Sequence, residues 1–207
     1  MKKHYIAALV FALLVTAAGA AFVERSARAG DTPASGAVIG QPIPDFTLPD
    51  VDGNKHSLAS LKGKTGTLFI FIATRCPVSN AYNERMAKIS QDYKARGVNV
   101  IGINANSTEP AAEVKSHAAE KHLSFTILKD DGNKIADQWG AAVTPEAYLL
   151  NAAGKLVYHG RIDNSRNGDA ITSNDLRDAI DEMLAAKPVA KTEARAFGCS
   201  IKRVATQ

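Results

Sequence analysis

The feature that most constrains the fold is an unbroken apolar run, Thr67–Ala73, that ends shortly before a Cys-Pro pair. The run consists of β-branched, aliphatic and aromatic residues and contains no polar position at a period of two. A strand of this kind is typical of the centre of a sheet that is covered on both faces. Pro77 is favourable at the first position of a helix. We therefore expect Cys76 to lie at a turn from a buried strand into a helix.

Strands and helices are predicted to alternate around this strand. An Asp-Gly turn between Phe46–Leu48 and His56–Leu58 predicts a hairpin, and a helix is predicted over Pro77–Arg96, ended by Gly97. The later elements are strands at Val98–Ile103 and Phe125–Leu128, helices at Pro110–His122 and Asn133–Trp139, a hairpin of Glu146–Asn151 and Lys155–Ile162, and a last helix at Asn174–Ala186. The pattern indicates one α/β domain over residues 42–186, with helices on both faces of its sheet.

The two ends of the chain differ from this body in composition. Residues 1–29 begin with basic residues, continue with an apolar run and finish at small-residue sites, which predicts a signal peptide, with an N-terminal membrane anchor as the alternative. Residues 30–41 predict a flexible linker. Residues 187–207 show no apolar period and predict a basic arm that carries Cys199. We expect an exported protein, periplasmic if its source is Gram-negative.

Charge is distributed unevenly along the chain. The formal net charge is +4, but residues 1–29 contribute +3 and residues 187–207 contribute +4, which leaves −3 on residues 30–186. A mildly acidic body without basic and aromatic residues interleaved gives no reason to expect a nucleic-acid partner. The opposite charges of arm and body predict that they attract each other, although salt would weaken the attraction.

Cys76 is the residue that the sequence singles out for chemistry. A thiol at a helix N-terminus lies near unpaired N–H groups and the positive end of the helix dipole, which lower its pKa. The thiolate is the nucleophilic form of cysteine, and Arg75 would stabilise it further if its side chain turned inward. The alternative interpretation of Cys76 is an unreactive buried hydrophobic residue.

The segment Ala-Thr-Arg-Cys-Pro-Val-Ser at residues 73–79 resembles the active-site turn of thioredoxin-fold redoxins. The closest resemblance is to the alkyl hydroperoxide reductase/thiol-specific antioxidant superfamily, and it extends from Pro-Asp-Phe-Thr-Leu at residues 44–48 to the last helix. It implies a thioredoxin-like fold, with a central mixed sheet and helices on both faces, and a thiol-dependent oxidoreductase. We expect no cofactor and no metal, because no pair of histidines has metal-ligand spacing and two distant cysteines are poor evidence for zinc. The resemblance also implies that Pro145, in the Val-Thr-Pro turn, is cis and packs beside Cys76.

The turn departs from the patterns of this fold at three positions. A thioredoxin has a second cysteine where Ser79 stands, and a copper chaperone of the same fold has one where Asn80 stands. A peroxiredoxin has a threonine at the position of Ala73, three residues before its cysteine, whereas this chain has Thr74 one residue later. Thr74 is therefore the candidate hydroxyl of the turn, and a second cysteine must come from elsewhere.

By the same resemblance, Cys199 is the candidate resolving cysteine, because two-cysteine peroxiredoxins carry one in a C-terminal segment. Cys76 would react first, with a peroxide or a disulfide, and Cys199 would close a disulfide with it, within one chain or across a homodimer. An external thiol would then reduce the pair. The alternatives are a free thiol, an attachment point for a lipid or metal, or a structural bridge in a non-enzymatic binding module.

Arg161, near the end of the late hairpin, is a further candidate for the site. A guanidinium near the sulfur would polarise a peroxide or stabilise a thiolate. The alternative interpretation is a surface arginine that pairs with Asp163.

Overall fold

The computed structural model describes residues 36–205. Its strands are β1 (Thr47–Pro49), β2 (Lys55–Ser57), β3 (Gly66–Ile72), β4 (Val98–Asn104), β5 (Thr126–Lys129), β6 (Val143–Thr144), β7 (Glu146–Asn151), β8 (Leu156–Gly160), β9 (Glu193–Ala194) and β10 (Cys199–Ser200). Its helices are α1 (Leu58–Leu61), α2 (Pro77–Ala81), α3 (Asn83–Lys94), α4 (Ala111–Glu120), α5 (Lys134–Trp139) and α6 (Asp175–Leu184).

Six of the strands form a mixed sheet in the order β5-β4-β3-β7-β8-β9. Strands β3, β4 and β5 are parallel, β7 is antiparallel to β3 and β8, and β9 runs parallel to β8. Outside this sheet, β1 pairs with β2 and β6 pairs with β10, both antiparallel. The predicted α/β class and the predicted first hairpin are confirmed.

Strand β3 is buried along its whole length, as its sequence predicts. Leu68, Ile70 and Ile72 belong to the core on one face of the sheet, where α3 and α6 pack. The alternate residues belong to the core on the other face, where the Phe69 ring meets Trp139 edge-on with centroids 5.2 Å apart. Because both faces are packed, the end of β3 is held in place, and so is the turn that leads to Cys76.

The helix predicted over Pro77–Arg96 is two helices in the structure. The backbone of Tyr82 separates them, and its N–H donates to the Ser79 carbonyl at 3.0 Å. The Tyr82 ring is buried, and its hydroxyl donates to the Asp163 carboxylate at 3.0 Å. Apolar periodicity did not predict this break, and the Asp163 partner of Tyr82 is far away in the sequence.

Residues 187–205, which show no apolar period, pack on the same body as the rest of the described chain. Strand β9 lies so close to β8 that a methyl group on Gly160 would fall 1.9 Å from the Ala194 carbonyl oxygen. Strand β10 pairs with β6, and Arg203 forms an ion pair of 2.7 Å with Asp137. This segment is therefore docked rather than free. Two-residue strands are too short to produce a period.

The signal peptide predicted for residues 1–29 lies outside the described residues, as do residues 30–35 of the predicted linker. The described remainder of the linker is bound to the body, since the Ala37 N–H donates to Trp139 at 3.0 Å and the Gly40 N–H donates to Leu156 at 2.7 Å. Within residues 36–205, no helix is long and apolar enough to cross a membrane.

Candidate active site

Cys76 lies at the predicted place, in the turn between β3 and α2, and is 3% exposed. It is the N-cap residue of α2, and its Sγ accepts a hydrogen bond from the Ser79 N–H at 3.3 Å. In the thiol form, the same sulfur donates to the Thr144 carbonyl oxygen at 3.4 Å. The sulfur is thus held between the start of a helix and the end of β6.

A buried carboxylate holds the backbone of this turn. Glu109, in the loop before α4, accepts hydrogen bonds from the N–H groups of Thr74 and Arg75, each at 3.0 Å. The Asn104 amide donates to the same carboxylate at 2.6 Å. Glu109 could not be identified from the sequence, because a single glutamate in a loop gives no signal until the fold brings it to the turn.

Two side chains of α2 complete the support of the turn. The Ser79 hydroxyl accepts a hydrogen bond from the Ala73 N–H at 3.1 Å, and the Asn80 amide donates to the Thr74 carbonyl at 2.9 Å. The two positions at which related proteins carry a second cysteine are thus occupied by polar side chains that bind the turn.

Thr74 and Arg75 are both engaged with α4. The Thr74 hydroxyl donates to Glu113 at 3.0 Å, and the Arg75 Nε donates to the same carboxylate at 2.8 Å. The Arg75 guanidinium lowers the pKa of Glu113 to about 2. Arg75 lines the cavity at Cys76, but its guanidinium is engaged with Glu113 rather than with the sulfur.

The Thr144–Pro145 peptide bond is cis, as the resemblance implies. Thr144 is buried, and its hydroxyl makes no hydrogen bond of ordinary geometry. The preceding residues are held by Glu146, which accepts the N–H groups of Ala142 and Val143 at 2.8 and 3.1 Å. A buried hydroxyl without a partner is costly in a folded protein, so Thr144 is notable beside the thiol.

Cys199 lies at the same site. Strand β10 places it opposite Thr144 in the antiparallel register, and both cysteines are free thiols that line one cavity. The structure therefore brings together two residues that are far apart in the sequence. It does so within a single chain.

The two thiols differ in their electrostatic surroundings. Burial alone would raise the pKa of Cys76, but hydrogen bonds from the Cys199 thiol and the Ser79 N–H, with a contribution from Thr144, lower it below its ordinary value. The interaction with Cys76 and burial both raise the pKa of Cys199. The arrangement thus favours a thiolate on Cys76 and a neutral thiol on Cys199.

The cavity at the two sulfurs has a volume of about 210 Å³. Its lining includes Cys76, Cys199, Thr144, Glu109, Asn106 and Lys202. No group of three or more His, Cys, Asp or Glu side chains within residues 36–205 is arranged to hold a metal ion.

Arg161 does not take either of the contacts expected for it. Its Nε donates to Asp175 at 2.7 Å, and it does not line the cavity at Cys76. Asp163, the alternative partner, binds Arg85 at 2.7 Å instead. Arg161 therefore forms an ion pair with Asp175, the buried first residue of α6.

Comparisons with known proteins give a consistent result. The chain matches the AhpC/TSA family over residues 39–159. It is 32% identical over 158 residues to the thiol-disulfide oxidoreductase ResA of Halalkalibacterium halodurans. That alignment covers 76% of this chain and 82% of the relative. It is 34% identical over 122 residues to the chloroplastic peroxiredoxin Q of Triticum aestivum. That alignment covers 56% of this chain and 55% of the relative.

A solved structure supports the fold assignment. A hypothetical protein from Sinorhizobium meliloti superimposes with a TM-score of 0.76 at 36% sequence identity, over 83% of this chain and 98% of that chain. The predicted thioredoxin-like fold is confirmed. The segment matched by the family contains Cys76 and Pro145 but ends before Cys199.

Proposed function

The chain belongs to the AhpC/TSA family and is a thiol-dependent oxidoreductase, and on this premise we propose that it reduces hydroperoxides with Cys76 as the nucleophile and Cys199 as the resolving cysteine. One observation carries the proposal. Both cysteines of one chain line a single cavity, and their pKa values are shifted in opposite directions. That asymmetry suits a reaction in which the Cys76 thiolate attacks the substrate while Cys199 remains a protonated thiol.

The proposed reaction has three steps, which are reduction of the peroxide, formation of the disulfide and its reduction by external thiols. The Cys76 thiolate attacks one oxygen of a hydroperoxide, the O–O bond breaks, and the products are a sulfenic acid on Cys76 and an alkoxide or hydroxide that takes up a proton. The Cys199 sulfur then attacks the Cys76 sulfur. Its proton leaves with the sulfenic hydroxyl as water, and a disulfide forms. Two external thiols, or one dithiol, supply two electrons by exchange, restore both cysteines as thiols and are themselves oxidised to a disulfide.

We assign the hydroxyl of the reaction to Thr144 rather than to Thr74. The Thr144 hydroxyl is buried, makes no hydrogen bond of ordinary geometry and lies close enough to Cys76 to help lower the pKa of its thiol, so it is placed to donate to a bound peroxide oxygen. The Thr74 hydroxyl is already engaged with Glu113. Pro145 is kept in the proposed site as the residue next to Thr144, and Arg161 is assigned to stability because it binds Asp175.

The disulfide is proposed to form within one chain, because the cavity contains both thiols without a second copy. The homodimer considered from the sequence would instead require Cys199 to leave β6. A non-reducing gel of the oxidised protein distinguishes the two arrangements, since an interchain bridge doubles the apparent mass.

Export to the periplasm, or to the cell exterior, is part of the proposal and depends on the sequence of residues 1–29. We expect mass spectrometry of the exported protein to find an N-terminus near residue 21 or 30. An intact Met1 would support the membrane anchor instead.

The main experiment treats the reduced protein with one equivalent of hydrogen peroxide and maps its peptides without reduction. We expect a Cys76–Cys199 linked peptide from the wild type and, from Cys199→Ser, a sulfenic acid on Cys76 that dimedone traps. The matched control, Cys76→Ser, should leave Cys199 unmodified. Equal modification of Cys199 in that control, or no reaction of the wild type with peroxide, would contradict the proposal.

Thiol–disulfide exchange is the second candidate, and the similarity to a thiol-disulfide oxidoreductase favours it. The Cys76 thiolate would then attack a disulfide sulfur, expel the other sulfur as a thiolate, and be released by Cys199. A protein that reduces a small disulfide rapidly but does not consume peroxide would establish this candidate in place of the first.

A further inference from the structure

Residues 197–204 form a strap that runs across the site. The strap begins with Phe197, whose ring contacts Tyr82 with centroids 6.3 Å apart. It continues through β10 beside β6 and then passes over the loops that follow β4 and β5. The strap approaches β6 so closely that a methyl group on Gly198 would lie 1.9 Å from the Thr144 carbonyl oxygen.

Two buried amides bind the backbone of the strap. The Oδ1 of Asn106 accepts the Lys202 N–H at 2.8 Å, and the Oδ1 of Asn133 accepts the Val204 N–H at 2.7 Å. Asn106 and Asn133 are 3% and 0% exposed. Ile201 adds a buried side chain, and its N–H donates to Ala142 at 3.0 Å. The strap is therefore held at a built site rather than lying loosely on the surface.

The strap occupies the edge of β6, the strand that ends beside the reactive sulfur. Strand β6 pairs with β10 alone among the strands that the structure describes. An extended polypeptide binds most readily by adding a strand to a free sheet edge, with main-chain hydrogen bonds. Such a polypeptide cannot use β6 while Cys199 and Ser200 are paired with it.

What remains at Cys76 is the cavity of about 210 Å³. A cavity needs only about 10–15 Å³ to hold one water molecule, so a hydroperoxide or another molecule of a few heavy atoms fits this space. A disulfide embedded in a polypeptide does not, because its flanking backbone would need the room that the strap fills. The thiol itself is 3% exposed.

We propose that the strap of residues 197–204 is a size filter, which limits Cys76 to small molecules and excludes extended polypeptides from the edge of β6. The inference rests on the proposed function, since it requires Cys76 to be the nucleophile. It adds a second role to the segment that presents Cys199. Released from Asn106 and Asn133, the same segment would expose β6 to a peptide.

The test measures the reaction of Cys76 with two disulfides that release the same coloured aromatic thiolate. One probe joins the aromatic thiol to methanethiol, and the other joins the same aromatic thiol to the cysteine of a short extended peptide, so that Cys76 attacks an alkyl sulfur in both. All proteins carry Cys199→Ser, so that Cys76 is the one thiol present. The comparison is made with Gly198→Ala, whose methyl group prevents β10 from docking, and with Ile201→Ser, which removes the buried anchor of the strap. Gly132→Ala is the matched control, because a methyl group there meets no atom closer than 3.7 Å.

With the strap intact, we expect the peptide probe to react at least about 100-fold more slowly than the small probe, since it must wait for local opening. In Gly198→Ala and Ile201→Ser, the peptide rate should rise by about tenfold or more, with the small-probe rate changed by less than about threefold. If Gly198→Ala does not fold, the rates of Ile201→Ser alone test whether the strap limits access to Cys76.

Equal rates for the two probes with the strap intact would overturn the size filter. So would an equal change of both rates in the strap variants. Failure of Cys76 to react with either probe would be a different result, because it would reject the nucleophile and with it the proposed function.

Discussion

The turn at residues 73–79 and the strap at residues 197–204 each supply one sulfur to the site, but they are specified in different ways. The turn follows a strand of seven buried residues and precedes a proline that begins a helix, so its conformation follows from adjacent sequence. The strap has two-residue pairing, and its position depends on amides in distant loops. Local sequence thus determines the conformation around Cys76, and long-range contacts determine the position of Cys199.

The same difference appears in the chemistry. Hydrogen bonds to the Cys76 sulfur, from the Ser79 N–H and from the Cys199 thiol, lower its pKa against the effect of burial. Cys199 is less acidic than an ordinary thiol, because its interaction with Cys76 and its burial raise its pKa. The pair is therefore unequal before any substrate arrives.

The largest expected effect separates the two cysteines. Cys76→Ser should lower the rate of peroxide consumption by about 10³-fold or more, as removal of the nucleophile does in other enzymes. Cys199→Ser should leave the first oxidation within about threefold and abolish disulfide formation, because it removes the resolving sulfur alone. Stopped-flow measurement of single turnovers checks both. A comparable loss in the two variants would show that the turn and the strap do not have separate roles.

Loss of the carboxylate that holds the turn is expected to have the next largest effect. Glu109→Ala leaves the buried N–H group of Thr74 and the partly buried N–H group of Arg75 without their acceptor. At about 1–3 kcal/mol for each unpaired group, the free energy of unfolding should fall by about 2–6 kcal/mol. Urea unfolding measures the change. Glu113→Ala, at the exposed ion pair with Arg75, is the control and should have a smaller effect. Equal losses would show that Glu109 is not a special support.

A pH titration sharpens the comparison of the two thiols. Cys199→Ala removes a hydrogen-bond donor to the Cys76 thiolate, so the pKa of Cys76 should rise, and its alkylation rate should reach half its maximum at a higher pH than in the wild type. Cys199→Ser keeps a hydroxyl donor and should shift the midpoint less. A midpoint that stays the same or moves to lower pH in Cys199→Ala would refute this account.

The smallest effect on catalysis is expected for Arg161. Burial alone would raise the pKa of Asp175, but hydrogen bonds from Arg161 and Lys191 lower it to about 2. A lowered carboxyl pKa stabilises the folded state above about pH 4, and the stabilisation is lost as the pH falls towards the lowered value. Arg161→Ala should therefore lower the free energy of unfolding by about 1–3 kcal/mol at pH 7 and by less at about pH 3.

The rate of peroxide consumption in Arg161→Ala should stay within about twofold of the wild type, since the residue does not line the cavity. A large kinetic loss with unchanged stability would return Arg161 to the active site.

Much of the fold could be predicted from local pattern. The buried run of β3, the Asp-Gly hairpin and the Cys-Pro turn depend on neighbouring residues, and each is in the expected place. The break at Tyr82 could not be predicted, because it involves a hydroxyl that binds Asp163 far along the chain.

The candidate site divides in the same way. Cys76 could be identified from its turn, and Cys199 could be connected with it through a family resemblance. Glu109 and the free hydroxyl of Thr144 could not, because a lone glutamate and a lone threonine have no pattern of their own. The sequence offers Thr74 as the hydroxyl of the turn and Arg75 as a cation near the sulfur, yet both side chains bind Glu113. The direction of a side chain is set by partners that the sequence places elsewhere.

The close approach at Gly198 has a consequence for how such chains are classified in genomes. The family match ends at residue 159, so a survey confined to that segment would count one cysteine and file this chain with single-cysteine proteins. Gly198 is required by the 1.9 Å approach to Thr144, so the position of Cys199 depends on a glycine that also lies outside the matched segment.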